Sequence, residues 1–352
     1  MTRRDIVKAG GLAVGLASAI LLLFVCFALP GVRSAPHAIP LGLAAPPPVA
    51  ARIEQGLGAA QPEAFAITRY ADPAAVRAAV VERAAYGGLA MGPDGTPTMY
   101  VASGAGPAVA QLLHQVTERL GEQLRATGAD TGPPALQPSI VDLAPLTAED
   151  PRGAGLAGAG FPLTIGAVLP AMVLFRSFRQ RPMTQIVGTI IVAGLVGLGM
   201  AAILSGWFHS IPGQSSLWLV AGGLTLGVAA TALALLGLGR IGGLPGVALG
   251  ALAIVLVANP LSGLASAPEL LPAGWGALGQ LLPPGANATL LRSTAFFDGA
   301  GGGRPTLVLT AYLLGGLTLI AAGAVAGLFD GGAVSGPRCP GPWCRLPARS
   351  GL

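Results

Sequence analysis

The residue types that most often carry catalysis are few in this chain, and they are not grouped. The three histidines lie far apart and form no zinc motif such as HExxH. Lys8 is the only lysine, so the chain has no phosphate-binding loop of the GxxxxGK[ST] form. Of the cysteines only Cys339 and Cys344 lie close together, and a structural zinc site needs four ligands. The sequence therefore predicts no catalytic, cofactor-binding or metal-binding residue, and we expect that the protein is not an enzyme.

A short run of arginines is the first distinctive feature. Between residues 161 and 261 the only charged side chains are four arginines, and three of them lie within Arg176–Arg181, RSFRQR, with Arg240 as the fourth. Basic residues in short loops between apolar segments stay in the cytoplasm and orient a membrane protein. The candidate site residues of this loop are Arg176, Phe178, Arg179 and Arg181.

A proline-broken apolar stretch is the second distinctive feature. Residues 268–285 read PELLPAGWGALGQLLPPG, and a short helical segment is predicted to follow over 286–297. Two interpretations remain open, namely a re-entrant or interfacial helical hairpin and an ordinary loop lying on the lipid headgroups. We call residues 268–297 the pre-final loop. Its candidate site residues are Pro272, Trp275, Pro283, Pro284, Gly285 and Arg292.

Membrane-spanning helices must position both features. The chain is 53% hydrophobic and only 10% charged, whereas a soluble domain carries about 25% charged residues. A helix needs about 20 mostly apolar residues to cross a hydrocarbon layer of about 30 Å. We therefore predict an α-helical polytopic membrane protein with six transmembrane helices. The predicted spans are residues 9–32, 153–175, 184–204, 217–238, 243–261 and 306–329.

The first apolar segment has a competing interpretation as a cleaved signal peptide. Its apolar part exceeds the 7–15 residues usual for such peptides, and Arg33 spoils a cleavage site ending at Ala35. We favour an uncleaved helix. Arg3 and Arg4 also resemble a twin-arginine export signal, or they simply keep residues 1–8 in the cytoplasm.

Residues 33–152 are the one soluble-looking segment. A proline-rich linker over 36–48 is predicted to lead into a strand near residues 65–67 and a helix from Pro73, capped by Asp72, to about Ala85. Strands over 89–91 and 98–102 are joined by a turn in which Gly95 takes positive φ. A second helix is predicted over 107–126, and Ile140-Val141 forms a further strand. This order predicts a small α+β domain.

The distribution of arginines predicts the orientation. With residues 1–8 in the cytoplasm, the loop 176–181, Arg240 and the tail 330–352 fall there too, as the positive-inside rule requires. Residues 33–152 then lie outside, and they carry 11 acidic residues against 8 arginines. The predicted location is the cytoplasmic membrane of a bacterium, since the bias towards Ala, Gly and Arg is typical of a GC-rich bacterial genome. Arginines at the edges of apolar runs indicate lipid, not nucleic acid, as the partner.

The order of one span, a domain and five further spans, with the pre-final loop, resembles the permease of type-2 ATP-binding-cassette (ABC) exporters. It most resembles the branch of phage-infection-protein-like membrane proteins. The motifs that carry the resemblance are Leu271–Trp275, Leu282–Ala286, Leu291–Ser293, Phe296-Phe297, Tyr86–Leu89, Val101–Ala105, Asp142–Leu146 and Asp150–Gly153. The resemblance implies a homodimer that works with a separate ATPase, re-entrant helices in the pre-final loop, and ATPase contact at residues 176–181.

Two functions from different classes follow. The first is a permease subunit that moves a lipophilic or amphipathic substrate outward with a separate ATPase; the charge-free spans disfavour a carrier driven by its own proton or ion coupling. The second is a non-transporting envelope scaffold or receptor that displays residues 33–152. The second gains support from the cytoplasmic segment before the first span, because its eight residues are too few for the amphipathic helix that many such permeases have.

Overall fold

The computed structural model describes residues 2–93, 95–126, 138–213 and 215–330. The predicted tail therefore lies outside the described residues except for Asp330. Within these ranges five helices are long and apolar enough to cross a membrane, namely Arg3–Ala28, Ala154–Ser177, Pro182–Trp207, Leu217–Ala258 and Gly303–Val325. The first of them is part of α1 (Arg3–Val32), and its apolar side chains are exposed along its length. Exposed apolar surface on this scale requires lipid, so the protein is embedded in a membrane.

The remaining long helices form one bundle around a shared apolar core. They are α5 (Ala154–Ser177), α6 (Pro182–Ala202, continued by a π-helical turn over Ile203–Trp207), α7 (Leu217–Ala253, continued by a π-helical turn over Ile254–Ala258) and α10 (Gly303–Asp330). Helix α7 lies at the centre and packs against α5, α6 and α10. Its close approach to α10 needs glycine, since a methyl group on Gly316 would collide with the Leu233 backbone.

Helix α7 turns back on itself at Gly243. This residue has φ 61° and ψ −152°, a conformation that essentially only glycine adopts. Residues 235 and 250 would be about 22 Å apart in a straight helix, yet a methyl group on Gly250 would lie 2.8 Å from the side chains of Leu235 and Leu238. The two predicted spans 217–238 and 243–261 are thus two antiparallel arms of one folded helix.

We predict that Gly243→Ala destabilises this turn by about 1–3 kcal/mol, because alanine is strained at that backbone conformation. The measurement is thermal unfolding of the purified protein in a mild detergent. Gly242→Ala is the matched control, since Gly242 has an unstrained backbone and open space around it. Equal unfolding temperatures for the two variants would contradict the assignment of Gly243 as the residue that requires glycine.

Residues 33–152, here named the sheet domain, contain a five-stranded mixed sheet. Its strands are β1 (Ile39–Ala44), β2 (Phe65–Arg69), β3 (Gly87–Met91), β4 (Pro97–Val101) and β5 (Ser139–Asp142). They lie in the order β2-β1-β3-β4-β5, and only the β3–β4 pair is antiparallel. Helices α2 (Pro47–Ala60), α3 (Pro73–Val81) and α4 (Pro107–Ala126) connect them. The expected α+β domain is therefore present.

Two local predictions for this domain are wrong. The predicted proline-rich linker over 36–48 instead contains the whole of β1 and the start of α2. Pro40 is tolerated near the start of β1, and Pro47 and Pro48 fill the first turn of α2, where a helix needs no N–H donor. Helix α3 also ends at Val81, four residues before the predicted end, and Arg83 takes a left-handed backbone conformation with φ 61°.

The pre-final loop folds into a single-turn 3₁₀ segment, Pro268–Leu270, and two helices, α8 (Trp275–Gln280) and α9 (Pro283–Phe296). Eleven of the fourteen residues of α9 are buried. Helix α9 packs against α7, α10 and α8, so it belongs to the bundle. An ordinary loop resting on the bundle surface would leave one side of α9 exposed, and that interpretation does not describe this structure.

Candidate functional site at the junction of the sheet domain and the helix bundle

The arginine loop lies at one end of the bundle, between α5 and α6. Arg176, Arg179 and Arg181 are exposed and Phe178 is half-buried. Arg240 holds the loop in place, donating from Nη1 to the Arg179 carbonyl (2.9 Å) and from Nη2 to Gln185 Oε1 (3.0 Å). No acidic residue falls between 151 and 268, so this end of α5, α6 and α7 is uniformly positive. We call it the arginine end.

The predicted residues of the pre-final loop lie at the opposite end of the bundle. Pro283, Gly285 and Arg292 are buried, whereas Pro272, Trp275 and Pro284 are half-buried. Arg292 donates from Nη2 to the Leu264 carbonyl (2.6 Å) and from Nη1 to the Ser266 carbonyl (3.5 Å). Helix α5 has 24 residues and therefore separates the two predicted sites by about 36 Å. The structure does not bring them together.

The sheet domain rests on the pre-final loop through main-chain contacts and apolar packing. The backbone N–H groups of Ala35 and His37 donate to the carbonyls of Leu270 (3.2 Å) and Glu269 (2.8 Å). Phe297 packs in a cluster with sheet-domain residues such as Val80 and Ala102, and a methyl group on Gly104 would lie 2.5 Å from the Phe296 ring. The pre-final loop is therefore the part of the bundle against which the sheet domain packs.

Arg83, two residues after the end of α3, makes polar contacts to α9. Its Nη1 donates to the Thr289 carbonyl (3.0 Å) and to Ser293 Oγ (2.6 Å), and its guanidinium lies 5.3 Å from the centre of the Phe297 ring. The left-handed backbone of Arg83 is strained by about 1–3 kcal/mol, and such strain persists where surrounding contacts determine the conformation. Burial of the guanidinium lowers its pKa below the ordinary value for arginine, because desolvation disfavours the charged form.

Tyr86 and Glu269 form a second polar contact across the junction. The Tyr86 hydroxyl donates to Glu269 Oε2 at 2.7 Å. Burial, with the nearby Glu269 carboxylate as the second cause, raises the pKa of Tyr86 well above its ordinary value of 10. The hydroxyl therefore stays protonated and continues to donate at any physiological pH.

A cavity of about 260 Å³ lies at this junction, which we call the junction cavity. Side chains from the sheet domain, the pre-final loop and the start of α10 line it, including Arg83, Tyr86, Glu269, Gln280, Thr289 and Arg304. Thr289 Oγ1 donates to Gln280 Oε1 (2.6 Å), and Gln280 Nε2 donates to the Ser262 carbonyl (3.3 Å). These bonds hold the side chains of Gln280 and Thr289 in place in the wall of the cavity. The charged groups of the cavity come from the sheet domain, the pre-final loop and the start of α10.

A smaller polar cavity lies inside the bundle. Thr164, Asn259 and Asn287 line it, and Thr164 Oγ1 donates to Asn259 Oδ1 at 3.1 Å. Its volume of about 20 Å³ fits a single water molecule. The junction cavity is therefore the candidate site for a larger ligand.

Residue patterns do not point to Arg83, Tyr86, Glu269 or Arg304 as site residues. They place Arg83 within the helix that is predicted to end near Ala85. The one available signal was Glu269, since it is the only acidic residue between 151 and 297. A lone carboxylate in an apolar stretch predicts a specific partner, here the Tyr86 hydroxyl.

Comparison of the chain with protein-family models, with curated protein sequences and with solved structures found no match.

Proposed function

We propose that this protein is the membrane permease subunit of an ABC-type exporter, and that it moves a lipophilic or amphipathic substrate outward with a separate ATPase. The burial of α9 within the bundle carries the proposal. The sheet domain contacts α9 at Thr289, Ser293 and Phe296. Helix α9 also packs against α7 and α10, and the display of a domain does not require that packing. Short, irregular segments are tolerated in membrane proteins where they are buried in protein or line a cavity, and transport proteins use them there.

The proposed topology has six membrane passes, with both termini in the cytoplasm of a bacterium and the sheet domain outside. The fold-back at Gly243 supports the sixth pass, because each arm of α7 runs from one end of the bundle towards the other. The exposed arginines of the loop 176–181 lie at the end of the bundle opposite the sheet domain. The positive-inside rule assigns that end to the cytoplasm. The ATPase would contact the exposed Arg179 and Arg181 there, and the permease would act as a homodimer.

The test is purification of the tagged full-length protein from its native membranes in a mild detergent, followed by identification of what accompanies it. We expect an ATPase subunit in stoichiometric amount. The double variant Arg179→Ala/Arg181→Ala is expected to lose the ATPase and outward transport while its abundance stays normal, because both side chains are exposed and neither makes a side-chain hydrogen bond to a described residue.

The matched control is Arg52→Ala/Arg119→Ala, which removes two exposed arginines from the sheet domain and leaves the arginine end intact. Wild-type transport by the Arg179/Arg181 variant would contradict the contact assigned to the loop. Reproducible absence of an ATPase, with envelope proteins bound through the sheet domain, would favour the scaffold or receptor function.

A further inference from the structure

The junction cavity has more positive charge than its own residues neutralise. Arg83 and Arg304 line it, and Arg292 is buried in α9 beside the same groups, whereas Glu269 is its one carboxylate. Among the described residues the only ion pair joins Arg69 to Glu54 elsewhere in the sheet domain. Buried charges in proteins are usually paired with an opposite charge. Arg83 and Arg292 are bonded instead to neutral groups, and the exposed Arg304 makes no hydrogen bond to a described residue, so the cavity is suited to an anion from outside the chain.

The start of α10 adds to the positive potential. Helix α10 begins at Gly303, and Arg304 and Pro305 in its first turn line the cavity. The first N–H groups of a helix have no partner within it and carry the positive end of the helix dipole. Helix starts therefore favour anions such as phosphate or carboxylate.

The arginines also have donors to spare. The hydrogen bonds of Arg83 within the described chain all use Nη1, and Arg304 makes none. A guanidinium presents its N–H groups in a planar fork that matches the paired oxygens of a phosphate or a carboxylate. The free N–H groups of both arginines are available to such a ligand.

The size of the cavity and its surroundings indicate that only part of the ligand enters. About 260 Å³ is slightly below the range of about 300–1,000 Å³ for pockets that enclose a whole drug-sized ligand. Exposed apolar side chains lie next to the lining residues in sequence, with Leu281 beside Gln280 and Leu307 two residues after Pro305. A charged headgroup fits the cavity, and an apolar tail fits the surface beside it.

We propose that the junction cavity binds the anionic headgroup, a phosphate or a carboxylate, of an amphipathic molecule. This inference rests on the proposed function for the identification of that molecule as the transported substrate, but the binding itself does not require transport. Arg83 and Arg304 hold the anionic group, and Glu269 is kept away from it by its bond to Tyr86.

The test measures binding to the purified full-length protein in an uncharged detergent. The probes are dioctanoyl phosphatidylglycerol, which is anionic, dioctanoyl phosphatidylcholine, which has no net charge, and inorganic phosphate. We expect the anionic lipid to bind about tenfold or more tightly than the other two, and Arg304→Gln and Arg83→Gln each to weaken its binding about tenfold. Arg52→Gln is the matched control, since Arg52 is exposed in α2 and does not line the cavity, and it should bind as the wild type does.

Arg304→Gln keeps the test decisive if Arg83→Gln fails to fold, because the Arg304 side chain makes no hydrogen bond within the described chain. Equal affinity for the two lipids, or wild-type affinity in Arg304→Gln, would overturn the proposal. If inorganic phosphate binds as tightly as the anionic lipid, the cavity binds a free anion. The proposal that its ligand is an amphipathic molecule is then overturned. The binding test contains no ATPase, so its failure would not contradict the proposal that the protein is an exporter. Absence of an ATPase partner would likewise not contradict binding of the anionic lipid.

Discussion

Replacing Gly279 with alanine is expected to disrupt the pre-final loop. A methyl group at this position in α8 would collide with the carbonyl of Leu261. Gly276 and Gly285 meet the carbonyls of Pro268 and Gly279 in the same way, so two backbone contacts close the loop on itself and a third joins it to Leu261. Backbone atoms cannot move aside as a side chain does, so the substitution forces the loop apart at a cost of about 1–3 kcal/mol or more.

Thermal unfolding of the purified protein in a mild detergent measures this loss. Gly279→Val should show a larger loss than Gly279→Ala, or it should fail to accumulate in the membrane. Gly303→Ala is the matched control because nothing lies within 4 Å of a methyl group at Gly303. If Gly279→Ala unfolds at the same temperature as wild type and Gly303→Ala, the close packing of this loop does not govern stability.

Replacing Arg83 with methionine is expected to release the sheet domain from the bundle. The change keeps an unbranched apolar stem but removes the guanidinium, and with it both hydrogen bonds to α9 and the contact with the Phe297 ring. Hydrogen bonds that involve a charged group contribute about 1.5–3 kcal/mol each. Loss of both bonds weakens docking by about 100-fold or more, and it leaves the strained backbone of Arg83 without the contacts that hold it.

Hydrogen exchange of the backbone amides of Ala35 and His37 measures the docked state, because both donate to the pre-final loop. We expect faster exchange at these amides in Arg83→Met and unchanged exchange within the sheet. Arg77→Met on α3, the helix that precedes Arg83, is the control, since Arg77 is exposed. Unchanged protection at Ala35 and His37 in Arg83→Met would show that apolar packing around Phe296 and Phe297 alone holds the domain in place.

These predictions depend on the packing of the sheet domain against the pre-final loop, which residue patterns in the sequence do not reveal. The contact joins Arg83 to Ser293, which lie 210 residues apart. Arg83 reaches Ser293 because α3 ends before Arg83 and because Arg83 has a left-handed backbone conformation. Residue patterns place a helix end only within a few residues, and a shift of that size turns Arg83 from a solvent-exposed helical residue into the centre of the junction.

Local features with one dominant physical cause were predictable. Helix α4 has the predicted bounds, because apolar residues recur along one face of it and Val109 and Leu113 are fully buried. Asp72 accepts from the Ala75 N–H as the predicted cap, and Gly95 has φ 80° in the predicted turn. The proline-rich segment was not predictable in this way, since the same prolines suit an extended linker, the start of a strand and the first turn of a helix.

The sequence by itself determined that the protein is embedded in a membrane, because uncharged apolar runs of this length have no stable place in water. It also determined that the arginines between 161 and 261 border the apolar runs, since a guanidinium inside hydrocarbon is costly. Only the tertiary structure decided that residues 217–258 form a helix folded at Gly243, that α9 is buried, and that Arg83, Glu269 and Arg304 meet at one cavity. The physical reason is that these outcomes depend on packing between segments that are distant in the sequence. Hydropathy and charge, in contrast, determine the environment of each segment separately.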